Sequence, residues 1–172
     1  MVHAVVTKPL QLLHIDLCGP SAVESLNKKK YILVIVDDFT KFTWVFFLHL
    51  KSETTSTFIN FITNAKVRLW NVVRKIRSDN GTEFVNSLLD DFLISKGIDD
   101  NLSAPYIPQQ NGVVERRNRT LVEAGRAMLN FANLSLYFWA EAVQTVCFVK
   151  NRSIINKRTA KTPYEGLKKK EA

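Results

Sequence analysis

The run Tyr31–Val36, YILVIV, constrains this chain more than any other stretch. A nearly unbroken apolar segment of strand length is expected where a strand is covered on both faces of a sheet. Its neighbours share that character. Leu10–Leu17 reads as a strand closed by Gly19-Pro20, with His14, Asp16 and Cys18 on one face and Leu13, Ile15 and Leu17 on the other. Lys28–Lys30 form a basic turn before the apolar run. After it, Asp37-Asp38 begins a turn into Phe42–Leu48, where aromatic and β-branched residues complete a hairpin.

The remaining elements alternate. Ser52 is placed to cap a helix reaching about Leu69, with Phe58, Ile62, Ala65 and Leu69 along one face. Val72–Ser78 returns as a short strand that delivers Asp79, and Asn80-Gly81 turns the chain. Ser87 with Asp90 resembles a capping box, and Leu88, Leu89, Phe92 and Leu93 form a stripe that Gly97 ends. A brief strand near Ile98–Leu102 precedes a loop carrying Pro105 and Pro108. A long helix then starts at Asn111 or Gly112. Its inward stripe reads Val113, Arg117, Leu121, Ala124, Met128 and Phe131, with Glu115, Arg119 and Arg126 opposite. Ser135 to about Asn151 makes a last helix that buries Leu136, Trp139, Val143 and Cys147. The order describes an α/β fold, a mixed central sheet of about five strands flanked by helices on both sides.

Length and composition agree with one folded core. The chain has 172 residues, 46% hydrophobic, with six glycines and five prolines, which excludes a disordered class. No run approaches the roughly 18 apolar residues of a membrane span, and the first residues lack the pattern of a secretory signal. Cys18 and Cys147 are far apart and outside any C-x-x-C, so they read as buried thiols of a reducing compartment and not as a zinc site. The charge of +8 is lopsided: residues 1–109 hold 12 Lys/Arg against 11 Asp/Glu, whereas 110–172 hold 12 against 5. A one-sided basic excess favours a polyanionic partner, nucleic acid first.

Three acids stand out against that background: Asp16 in LLHIDLCGP, Asp79 in KIRSDNGTEF, and Glu115, which follows Asp79 after 35 intervening residues. Taken singly, each has an ordinary explanation. A turn-proximal surface acid is the ordinary reading of Asp16, but a mid-strand position among apolar neighbours suits it poorly and favours function; Asp79 reads equally as a turn former before Asn-Gly, and Glu115 alone reads better as the partner of Arg119 in an i,i+4 pair. Asp37-Asp38 reads better as a hairpin turn than as a ligand pair, His14 as a core or supporting histidine, and Phe42, Trp44, Phe46 and Phe47 as core. Together the three acids suit Mg²⁺, which takes oxygen ligands and is held by few carboxylates with water and substrate phosphate. Two such ions about 4 Å apart serve phosphoryl displacement. Glu115 lies in the first turn of its helix, where the dipole favours its negative charge.

At these residues the chain resembles the integrase catalytic core of Ty1/copia-type LTR retrotransposons, plant copies above all. LLHIDLCGP, YILVIVDDFTKFTWVFFL, IRSDNGTEF, PQQNGVVERRNRTL, YFWAEAV and KTPYE carry the resemblance from about Leu10 to Glu165. It implies an RNase H-like fold over 9–165 with short tails at 1–8 and 166–172. It also implies strand transfer, in which the 3′-hydroxyl of element cDNA attacks a target DNA phosphodiester. Two Mg²⁺ or Mn²⁺ ions would be the cofactors, with Asp16 bridging them and Asp79 and Glu115 each completing one site. Gln109–Gly112 match the family's active-site loop, so Gln110 and Asn111 become DNA contacts, and Arg116, Arg117 and Arg119 would meet phosphates, Arg117 alternatively snorkelling from the packed face. DNA partners, a homo-oligomer on DNA, no membrane, and action in the nucleus after a cytoplasmic particle phase follow from the same resemblance. Ile107 and Asp100 depart from the family's usual Thr and His beside the loop, and the upstream His/His/Cys/Cys module is not among these residues. Two other functions remain open: a catalytically inactive or domesticated nucleic-acid-binding remnant, and an RNase H-type nuclease that attacks with water. The 35-residue spacing and the PQQNG loop favour the integrase core over that nuclease.

Overall fold

The computed structural model describes residues 5–69, 71–79, 81–102 and 112–168. Strands β1 (Leu12–Cys18), β2 (Tyr31–Asp37), β3 (Thr43–Leu48), β4 (Lys75–Ser78) and β5 (Asp99–Leu102) form one sheet in the order β3-β2-β1-β4-β5. β1–β2 and β2–β3 pair antiparallel, whereas β1–β4 and β4–β5 pair parallel. Helices α1 (Thr54–Leu69), α2 (Ser87–Lys96), α3 (Gly112–Phe131), α4 (Trp139–Ser153) and α5 (Pro163–Leu167) complete the chain.

The apolar run earns its composition by lying between two cores. Leu33 and Ile35 join Leu13, Ile15 and Ile76 beneath Phe58, Phe61 and Ile62 of α1 and Leu89 and Leu93 of α2. The alternate residues Ile32, Val34 and Val36 meet Val114 and Leu121 of α3 and Val143, Val146 and Cys147 of α4 on the other face. Each fully buried side chain contributes roughly 1.5–3 kcal/mol, so neither face tolerates polar substitution. The aromatic residues flank these cores as expected: Trp44 and Phe46 pack on Phe61, and Phe47 packs on Trp139. His14 is a core residue, with Nε2 3.0 Å from Asp38 Oδ1.

Several local expectations shift. Ser52 is not a cap, because it lies in a 3-10 turn, Lys51–Glu53, where the Glu53 carboxylate accepts the N–H groups of His49 and Leu50. Asn86, not Ser87, caps α2 by accepting the Leu89 N–H, and Leu88 points to solvent. Gly97 ends α2 at φ 64°, the left-handed cap that glycine adopts without penalty. Leu136 is also exposed, in a 3-10 turn (Leu136–Phe138) ahead of α4.

The stripe of α3 is rotated by about one residue. Its buried positions are Val114, Asn118, Leu121, Gly125 and Leu129, while Met128 and Phe131 face out. The true seam contains an asparagine and a glycine, which apolar periodicity passes over. Gly125 is there because α4 runs close: an added Cβ would sit 3.2 Å from Val143 Cγ2 and 3.4 Å from the Val143 nitrogen. α3 thereby crosses the β1–β2 face near enough for its first turns to reach Asp16.

Candidate active site

β1 carries Asp16 on the α3 side of the sheet, opposite Val34 of β2. The parallel register sets His14 beside Arg77. Continued by two residues, it brings Asp79, just past the end of β4, alongside Asp16. Asp79 holds its own turn, accepting the Gly81 N–H at 3.1 Å. Glu115 comes from the exposed side of the first turn of α3, and Asn118, one turn on, donates its amide N–H to Asp16 Oδ2. A sheet strand, a strand end and a helix start thus converge on one place.

The electrostatics record that convergence. The Asp16 carboxyl is pushed up to about 7, chiefly by burial and then by the negative charge of Asp79, with Glu115 adding to it. The Leu17 N–H and Asn118 pull in the opposite direction without cancelling the rise. Asn118 Oδ1 is itself buried with no partner among the described residues, and there the amide bonds only Asp16. The acids approach without closing: among the described residues, no three His, Cys, Asp or Glu are compact enough to enclose a metal ion. The donor set nevertheless fits a hard cation, because oxygen-only ligands of net negative charge are what such ions take, with solvent and substrate oxygens filling the shell.

Around the acids, Lys51 Nζ lies 3.0 Å from Glu83 Oε2, and Asp79 also contributes to holding the Lys51 ammonium above its ordinary value. The Glu83 carboxylate, the mobile end of its side chain, packs against Gly81, where an added Cβ would fall 2.6 Å from its Oε1. Ser52, Thr55, Thr82 and Asn86 join this pair in lining a cleft of about 470 Å³. Arg116 and Arg119 are exposed on α3, and Arg116 Nε donates to the Gly112 carbonyl. Arg117 is half-buried, with burial lowering its guanidinium from the ordinary value, and its charge acts on Cys147 and Lys150 of α4. Gln110 and Asn111 lie outside the described residues. Sequence reasoning missed Asn118 and the Lys51–Glu83 pair. The only signal for Asn118 was a polar residue three positions after Glu115 in an otherwise apolar seam.

A five-stranded sheet of this topology, with an acid on its central strand, is the RNase H-like arrangement of retroviral integrase cores. The catalytic core of HTLV-2 integrase, in a magnesium complex of trimeric form, superposes with TM-score 0.67 at 20% identity, covering 94% of this chain and 98% of that one. The integrase of a simian T-cell lymphotropic virus intasome bound to PP2A regulatory subunit B56 gamma gives TM-score 0.73 at 21% identity, over 95% of this chain and 56% of that one. Residues 6–108 match the family model described as "Integrase core domain", and the chain belongs to that family. It is 39% identical over 144 residues to the "Retrovirus-related Pol polyprotein from transposon TNT 1-94" of Nicotiana tabacum, covering 84% of this chain and 11% of that protein. It is 32% identical over 146 residues to the "Transposon Ty1-DR6 Gag-Pol polyprotein" of Saccharomyces cerevisiae, covering 84% of this chain and 8% of that one. The chain therefore spans about a tenth of the length of the polyproteins it matches.

Proposed function

We propose that this chain is the catalytic core of a Ty1/copia-type retrotransposon integrase, which joins element cDNA to target DNA by metal-dependent strand transfer. The observation that carries the reading is the state of Asp16: a half-buried carboxyl raised to about 7 by burial and by two other acids. An arrangement that repels itself in the folded protein is costly unless positive charge completes it. Mg²⁺ or Mn²⁺ held there would neutralise the acids, activate an attacking oxygen and stabilise a leaving one.

In this reading Asp16, Asp79 and Glu115 would together hold the metal ions. Asn118 orients Asp16 through its hydrogen bond, and the Gly81 N–H orients Asp79. Arg116 and Arg119 hold phosphates beside the acids without reading sequence, Arg117 makes its contribution from the packed side of α3, and Gln110 and Asn111 contact DNA from the preceding loop. The proposal includes a homo-oligomer assembled on DNA and action in the nucleus.

Disintegration of a branched DNA that mimics the joined product, with Mn²⁺ or Mg²⁺, tests the reading, since it reverses strand transfer and asks least of flanking domains. The expected result is resolved product that disappears with Asp79→Asn while DNA binding in metal-free buffer persists. Equal resolution by the Asp79→Asn protein would sink the assignment.

A further inference from the structure

The C-terminal part of the chain holds cations that the active site does not use. Residues 148–168 contain six basic side chains, Lys150, Arg152, Lys157, Arg158, Lys161 and Lys168, against one acid, Glu165. That acid is occupied locally, accepting the N–H and hydroxyl of Thr162 at the start of α5. The segment is folded back onto the turn between β2 and β3. Asn156 pairs with Lys161 in an isolated bridge and donates to the Phe39 carbonyl, Arg158 lies over the Phe39 ring, and Gly166 packs on Thr40. Among the described residues, only Arg158 of the six lies within ion-pairing distance of a carboxylate, Asp38 at 3.7 Å.

Arg152 is held against two rings. Its guanidinium lies 3.7 Å from the Phe148 ring centroid and 4.1 Å from that of Tyr164, and its Nη1 donates to the Phe148 carbonyl. Lys168 Nζ adds a second cation 4.7 Å from the Tyr164 ring. Rings that hold a guanidinium flat give it a fixed orientation before any ligand arrives, which suits the fork for phosphate oxygens. Like charges gathered without counter-ions repel one another, and a polyanion relieves that repulsion. Lys150 in turn feels the charge of Arg117, so the basic surface begins where α4 passes α3 and continues to α5.

We propose that the end of α4, the bridged loop after it and α5 form a second DNA-binding surface, distinct from the α3 arginines, that takes the phosphate backbone of duplex DNA. Duplex is favoured over single strand because the available rings are already engaged by cations. Single-strand binders instead leave aromatic faces free for unstacked bases. A duplex offers closely spaced phosphates and needs no such platform.

The test uses the whole chain in metal-free buffer with labelled duplex and single-stranded DNA of equal length, titrated over a salt series. Arg152, Lys157, Lys161 and Lys168 are all exposed, so replacing the four by Gln is expected to leave a cooperatively folding protein, with thermal unfolding lowered slightly by loss of the Arg152 and Lys168 ring contacts. Duplex affinity should fall by about tenfold or more, with the slope of log affinity against log salt shallower by about one unit per lost contact. Arg152→Lys, which keeps the charge and removes the planar fork, should give a smaller loss and guards against misfolding of the fourfold variant. Unchanged duplex affinity and slope would overturn the proposal, as would a loss confined to single strands. Intact DNA affinity with lost binding to phosphatidylserine vesicles would assign the surface to a membrane instead. Because no metal is present, the outcome does not depend on whether the three acids join DNA.

Discussion

The β1–β2 hairpin places acids at two ends, and the two ends treat them in opposite ways. Toward the end of β1, Asp16 is buried among other acids and is raised to about 7. Beside the start of β1, Asp38 is met by His14 Nε2 at 3.0 Å, Lys41 Nζ at 3.0 Å and Arg158 at 3.7 Å, and His14 and then Lys41 hold it well below the ordinary carboxylate value. Its neighbour Asp37 is raised by burial, yet accepts three hydrogen bonds, from the Leu10 N–H and from the N–H and hydroxyl of Thr40. One end of the hairpin is satisfied by the protein itself. The other is left negative and incomplete, which is what a site for cations requires and a stabilising feature does not.

The largest expected effect is on catalysis. Under the proposed function, Asp16→Asn should reduce disintegration by on the order of a thousandfold, since losing a carboxylate that would hold the metal ions would remove several kcal/mol of transition-state stabilisation. Asp38→Asn should leave the rate per folded molecule close to normal. If both variants lose activity equally, the two ends do not differ in the way argued.

Stability should respond in the reverse order. Asp38→Asn breaks an ion-paired cluster and should destabilise by about 1–3 kcal/mol in urea unfolding. In metal-free buffer Asp16→Asn should instead stabilise, by about 1–3 kcal/mol above pH 7.

The pH dependence separates the two further. Asp16 is raised above its ordinary 3.8, so the folded protein keeps the proton as pH climbs, and stability falls between about 4 and 7. The gain from Asp16→Asn should therefore shrink toward zero near pH 4. Asp38 is depressed, so its contribution is full at neutral pH and lost as pH falls below 3.8. Unfolding curves of wild type and both variants at pH 4 and pH 8 decide this, and parallel shifts for the two variants would contradict it.

A smaller effect serves as control. Asn86→Ala removes the cap of α2 and should cost about 1 kcal/mol, with the pH profiles of both acid clusters unchanged.

Much of this architecture was legible in the residues. YILVIV announced a strand covered on both sides, and Asp79 before Asn-Gly announced an acid at a strand end. His14 read correctly as core, whereas Trp44, Phe46 and Phe47 pack half-buried against the two cores. The α3 stripe did not, because its seam uses Asn118 for a polar contact and Gly125 for close approach to α4. Neither role carries an apolar signature. Arg117, by resemblance a phosphate contact or a side chain snorkelling from the packed face, lies half-buried, and its charge acts on Cys147 and Lys150 of α4.

By itself the sequence determined which residues are acids, where strands and helices alternate, and that the positive charge gathers in the C-terminal third. Those properties are local, since side-chain type and short-range periodicity suffice to set them. Only the tertiary structure decided that Asp16 is raised by burial and by Asp79 and Glu115, whereas Asp38 is lowered by His14 and Lys41. Burial and charge–charge repulsion depend on distances between segments far apart in the chain. Here those distances are set by the β1–β4 register and by how closely Gly125 lets α3 pack on α4.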